Sequence, residues 1–153
     1  MRLSELLKPE MILIKPACSS KDELVSKLVD RIYEKNGGFT YPREDVLKAI
    51  FIREKIGGTM LPSGLSIPHA RLKDFDGFFL ALGIPSEPLP YEGQHVRLMA
   101  VMVSSQSGGE YYLPTLAALT KLTREKEFLM RMHNAVNPKE VISIIKERDP
   151  ELI

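Results

Sequence analysis

The chain has 153 residues, 44% of them hydrophobic and 27% charged, so one domain covering residues 1–153 can bury a core that needs no staple. A net charge of +1 leaves no basic excess to hold nucleic acid or an anionic membrane surface. The single cysteine, Cys18, excludes an intramolecular disulfide and zinc sites built on paired cysteines, and it fits a reducing cytoplasm.

Residues 3–7 can form one helical turn, with no targeting signal and no apolar run near the roughly 18 residues needed for membrane insertion. Met11 to Ile14 reads as a short buried strand closed by Pro16. Ser20 and Glu23 have capping-box spacing, and Leu24, Val25, Leu28, Val29, Ile32 and Tyr33 then repeat at helical spacing as far as Gly37 and Gly38. Pro42 suits the first position of a second helix, with Val46, Leu47, Ile50 and Phe51 on one face and Gly57–Gly58 at its end. Arg53 falls in the last turn of that helix, where a cation is favoured by the exposed carbonyls whatever else it does.

A loop through Thr59 leads to the apolar run Leu65 to Ile67, which stops at Pro68 and presents His69. Proline has no N–H for a sheet and holds its predecessor extended, so the chain is expected to leave the ladder at the imidazole. The following ARLKDFDG reads as a charged turn. His69 alone is compatible with a packing role or with a displayed nucleophile.

Phe78 to Ile84 and Leu98 to Val103 read as buried central strands, separated by Pro85, Pro88 and Pro90, and the second is followed by a polar loop over 104–109. Helical spacing resumes near Glu110, with Leu113, Leu116, Ala117 and Thr120 on one face, then Phe128, Leu129 and Met132 on another. Asn137, Pro138 and Glu140 start a last helix that runs to about Arg148. The mixed order, without internal repeats, predicts an α/β fold, a single-domain sandwich of a small mixed β-sheet flanked by helices.

No GxxxxGK[ST], GxSxG or HExxH run is present, and His69, His95 and His133 lie far apart in sequence. Neither a nucleotide nor a metal cofactor is expected.

The series Arg53-Glu54, Thr59, Leu65–Ile67, Pro68-His69-Ala70-Arg71 and Tyr112-Leu-x-x-Leu resembles the IIA domain of the bacterial sugar phosphotransferase system. The type is fructose/mannitol, which includes the nitrogen-related regulatory IIA proteins, and the resemblance covers nearly the whole chain. It implies a cytoplasmic histidine phosphotransferase in which His69 accepts a phosphoryl group on Nε2 from the carrier HPr and passes it to a IIB component. It places Arg53 beside the phosphohistidine. A neutral imidazole has the required lone pair, and a guanidinium fork suits the charge on equatorial phosphoryl oxygens.

Where sugar-transporting members have a second histidine, this chain has Tyr112, either a hydrogen-bond donor to a phosphoryl oxygen or a half-buried aromatic at a helix start. Thr59 is divided between a hydrogen bond near the site and a loop-fixing hydroxyl. The alternative to transport is a regulatory module whose phosphorylation state gates a protein partner. Leu61, Leu65 and Phe75 are candidates for a docking face by sequence position, and a homo-oligomer is compatible with the chain.

Overall fold

The computed structural model describes residues 1–107 and 109–152. Helix α1 (Leu3–Leu6) and a 3-10 turn at Pro9–Met11 precede β1 (Ile12–Ile14), α2 (Lys21–Lys35) and α3 (Arg43–Ile56). Strands β2 (Leu65–Ser66), β3 (His69–Leu72), β4 (Phe78–Ile84), β5 (Leu89–Tyr91), β6 (Gln94–Val96) and β7 (Leu98–Ser105) follow. Helices α4 (Tyr112–Thr123), α5 (Lys126–Asn134) and α6 (Pro138–Lys146) complete the order. The expected loop over 104–109 is shortened by Ser104 and Ser105 joining β7; its Gly108 lies outside the described residues.

The mixed sheet runs β1-β4-β7, with β2 and β3 sharing the far side of β7. β4 pairs antiparallel with β7, from Phe78 opposite Ser104 to Gly83 opposite Met99, while the remaining pairings are parallel. Every residue of β7 is buried. Since successive side chains point to opposite faces, both faces of this strand are covered.

α2 buries Leu24, Val25, Leu28, Val29 and Ile32 of the expected stripe and leaves Tyr33 half-buried, and its start is capped by Ser20 Oγ accepting from the Glu23 N–H at 3.1 Å. The reciprocal half of the capping box is absent, because Glu23 takes the Ser19 hydroxyl at 2.8 Å. The helix lies so close to β4 that a Cβ on Gly83 would stand 3.0 Å from Leu28 Cδ1. Pro42 is the residue before α3, one position earlier than its expected place inside it.

Three expectations need correction. The chain does not leave the ladder at Pro68: β3 resumes on β7 in the register of β2, and the Pro68 carbonyl accepts from the Met102 N–H at 3.1 Å. The missing proline N–H interrupts an edge strand by one bond, and edges tolerate that. Helix α4 buries Thr115, Ala118, Leu119 and Leu122, while Leu113 is 65% exposed. The helix is apolar almost all round, so two stripes satisfied the period and only packing chose between them. Finally, Leu65 is fully buried and Phe75 packs among Phe39 and Phe79, which removes Leu65 from any docking face. The β5–β6 hairpin, turning at Glu92–Gly93, was hidden by Pro88 and Pro90.

Candidate functional site

Alternation along β3 sends Ala70 and Leu72 into the core and places His69 and Arg71 together on the opposite face. His69 is held at 6% exposure. Its Nδ1 lies 3.0 Å from the Ile67 carbonyl oxygen. A carbonyl can only accept, so Nδ1 carries the proton and Nε2 keeps the lone pair. That lone pair is directed at Tyr112, whose hydroxyl donates to Nε2 at 2.8 Å.

Burial is the main cause that pushes the His69 pKa below its ordinary value of 6.5; the Ile67 carbonyl opposes it, Arg53 lowers it further, Glu54 opposes, and Arg71 lowers it again. The imidazole is therefore neutral at pH 7, in the tautomer a nucleophile at Nε2 requires.

Tyr112 is the first residue of α4, so the partial positive charge of that helix end lies at the same place. The Arg71 guanidinium stacks over the Tyr112 ring, 5.1 Å from its centroid. Arg53 sits at the end of α3, where its Nη1 donates to the Gly57 carbonyl at 2.6 Å. Two guanidinium groups whose fields reach His69 and one helix amino end thus converge on a neutral imidazole, an arrangement suited to a multiply charged anion.

Thr59 serves this site from behind. Its hydroxyl donates to Glu54 Oε1 at 2.6 Å, its carbonyl accepts from the Ile67 N–H at 3.1 Å, and Glu54 Oε2 pairs with Lys21 Nζ at 3.1 Å. Lys21 also lies over the Tyr91 ring, 4.0 Å from its centroid. Both charged groups of the pair are buried, at 3% and 7% side-chain exposure. The network fixes the loop whose Ile67 carbonyl sets the His69 tautomer.

Of the residues singled out in the sequence, the structure brings His69 and Tyr112 into direct contact, sets Arg53 where its charge acts on the ring, and places Thr59 on Glu54. Sequence reasoning gave no role to Arg71, although the two-residue period from His69 would have placed it on the same face. It also missed Lys21, which in sequence is an ordinary lysine in a helix's first turn. No group of three or more metal-ligating side chains stands together among the described residues, and none of their helices is long and apolar enough to cross a membrane.

Fold and site define a helix-flanked mixed sheet that displays one neutral histidine amid cationic groups. The chain belongs to the phosphoenolpyruvate-dependent sugar phosphotransferase system EIIA 2 family, whose model matches residues 5–148. It is 25% identical over 148 residues to a nitrogen regulatory protein of Bradyrhizobium diazoefficiens, covering 95% of each chain. It is 26% identical over 153 residues to the 2-O-alpha-mannosyl-D-glycerate-specific EIIABC component of Escherichia coli, covering 97% of this chain and 23% of that longer protein. Among solved structures, the nitrogen regulatory protein IIA-Ntr of Neisseria meningitidis superposes with a TM-score of 0.76 at 24% identity, over 94% of this chain and 98% of that one. IIA mannitol of Escherichia coli gives 0.75 at 19% identity, over 91% and 98%. The family thus includes both sugar-specific EIIA components and nitrogen regulatory proteins, and the chain is an EIIA phosphotransfer domain.

Proposed function

We propose that residues 1–153 form one cytoplasmic EIIA domain in which His69 Nε2 accepts a phosphoryl group from a phosphorylated HPr-type carrier and hands it to a IIB component. The observation that carries this reading is the tautomer: the Ile67 carbonyl holds the proton on Nδ1 and leaves Nε2 nucleophilic without a separate base.

In the forward step the Nε2 lone pair forms a bond to phosphorus as the donor's N–P bond breaks, and the donor ring nitrogen keeps that electron pair. Positive charge develops on the His69 ring, where the Ile67 carbonyl stabilises the Nδ1 proton. Arg53 and Arg71 supply charge for the equatorial oxygens. The Tyr112 hydroxyl, which donates to Nε2 in the resting chain, gives up that bond and turns to a phosphoryl oxygen. In the second step a cysteine or histidine of the IIB partner attacks phosphorus, and Nε2 recovers its pair. Thr59 takes part through Glu54 and the Ile67 loop, as a positioning residue.

The alternative is a regulatory reading: the relatives include nitrogen regulatory proteins beside sugar-specific components, and Tyr112 stands where sugar-transporting members have a second histidine. In that reading the same phosphohistidine gates a protein partner without sugar transport.

The test is intact-mass measurement after incubation with phosphoenolpyruvate, the first enzyme of the system and HPr, beside His69→Ala. One added phosphoryl group that vanishes in the variant is expected. A folded, unmodified wild-type chain beside a working control would overturn the proposal.

A further inference from the structure

We propose that the cleft at the carboxyl end of α4 binds a small organic anion, a phosphate or carboxylate group carried on an apolar body. The cleft is separate from the His69 site. Tyr112 and Thr123 are the first and last residues of α4, and at 1.5 Å per residue this places them about 16 Å apart. The cleft lies at Thr123, against Ser63 before β2, Arg97 before β7 and the segment after β4.

Its volume is about 570 Å³, which falls within the range of about 300–1,000 Å³ usual for small-molecule sites. Two kinds of wall make it selective. Pro62, Pro85 and Pro88 supply rigid apolar surface without N–H donors, and Leu129 and Met130 of α5 close the other side. Met130 is 60% exposed, an apolar side chain left open at the rim.

The remaining walls are cationic. Arg97, Arg124 and Lys126 line the cleft with His133, and no carboxylate does. Among the described residues none of these cations is engaged in an ion pair; of the two acids that flank Lys126 in sequence, Glu125 is turned to Arg148 at 3.3 Å and Glu127 does not line the cleft. This concentration of one sign is a local property, since the chain as a whole carries +1.

Arg97 is not a loose surface residue. Its N–H donates to the Gly64 carbonyl at 2.8 Å, and its stem lies on Gly64, where a Cβ would come within 2.8 Å of Cγ. Gly64 has φ +100°, so both its conformation and the absence of a side chain seat the arginine. Opposite it, α5 begins at Lys126 after Glu125, which gives no side-chain cap. The N–H groups of Phe128 and Leu129 bond the Glu125 carbonyl, and the positive end of the helix dipole lies at Lys126. A ligand with only one of the two properties uses half of this cleft.

The experiment is amide NMR titration of the full chain with phenyl phosphate, inorganic phosphate and benzyl alcohol, on wild type, Arg97→Gln and Arg124→Gln. Saturable shifts at Ser63, Arg97, Thr123 and Leu129 are expected with phenyl phosphate. Inorganic phosphate and benzyl alcohol should each bind about tenfold more weakly, and each exposed-arginine variant, its spectrum otherwise unchanged, should lose about tenfold in affinity. Equal binding of benzyl alcohol would overturn the proposal by showing a merely apolar crevice. Shifts confined to His69, Arg71 and Tyr112, or no saturation at Ser63 and Thr123, would overturn it as well.

Discussion

The hydroxyl of Tyr112 donates to Nε2 of His69 at 2.8 Å, so the proposed nucleophile is already a hydrogen-bond acceptor in the resting chain. This contact separates two effects of Tyr112→Phe. Removing the hydroxyl frees the lone pair, worth about 1 kcal/mol for a neutral hydrogen bond, but it also removes a donor to a charged phosphoryl oxygen, worth about 2 kcal/mol. The larger loss wins. Rapid-quench phosphorylation should show Tyr112→Phe slower by about fivefold, with a correct fold; a faster variant would show that the tyrosine only obstructs the ring.

The two arginines differ in what they do at rest. Arg53 is tied to the Gly57 carbonyl and Arg71 is stacked on Tyr112. Arg53→Gln and Arg71→Gln should each slow phosphoryl acceptance by about tenfold to a hundredfold with little change in melting temperature, because each removes charge from the transition state. Lysine at position 53 should recover only part of the loss, since it has no planar fork. Unchanged rates in both glutamine variants would remove the arginines from the chemistry.

The lowered pKa of His69, caused first by burial, has consequences for both rate and stability. Below pH 6.5 an unfolded His69 binds a proton that the folded site resists. The unfolded state thus holds more protons, so His69 destabilises the fold in acid: the effect is absent above pH 6.5, grows as pH falls from 6.5 to the lower folded value, and is constant below that. Phosphorylation should stay flat with pH through 6.5 and decline only at lower values. In chemical denaturation, His69→Asn should flatten the acid-side loss of stability; an identical pH slope in wild type and variant would contradict the burial effect.

Lys21 and Glu54 form the buried pair behind the site. Glu54→Gln leaves an ammonium group in the interior without its counter-charge and should cost about 3 kcal/mol, while Lys21→Met combined with Glu54→Gln should recover much of that. Thr59→Val should cost about 1 kcal/mol and alter phosphorylation far less than Tyr112→Phe does, since its hydroxyl faces Glu54. Denaturant midpoints measure both, and a double variant no better than the single one would refute the pairing argument.

The elements with a strong period were legible from the sequence. The α2 stripe matches from Leu24 to Ile32, with Tyr33 only half-buried and Lys21 added, because only one face of that helix is apolar, and β4 and β7 stand out as uninterrupted apolar runs. The buried face of α4 was not legible, since Leu113 and Leu119 are equal candidates until the helix is set against the sheet. Nor was the resumption of pairing after Pro68, because a local rule about proline does not register that β7 continues alongside. At the candidate site, His69, Arg53 and Tyr112 were singled out by motif, whereas the Ile67 carbonyl beside His69 Nδ1 is a backbone group with no sequence signature.

The most direct measurement is the position of the phosphoryl group on His69, read by long-range proton–nitrogen correlation on the labelled chain after incubation with phosphoenolpyruvate, the first enzyme and HPr under alkaline conditions. The account predicts a phosphoryl group at Nε2, with Nδ1 still facing Ile67. Phosphorylation at Nδ1, or on a residue other than His69, would contradict it.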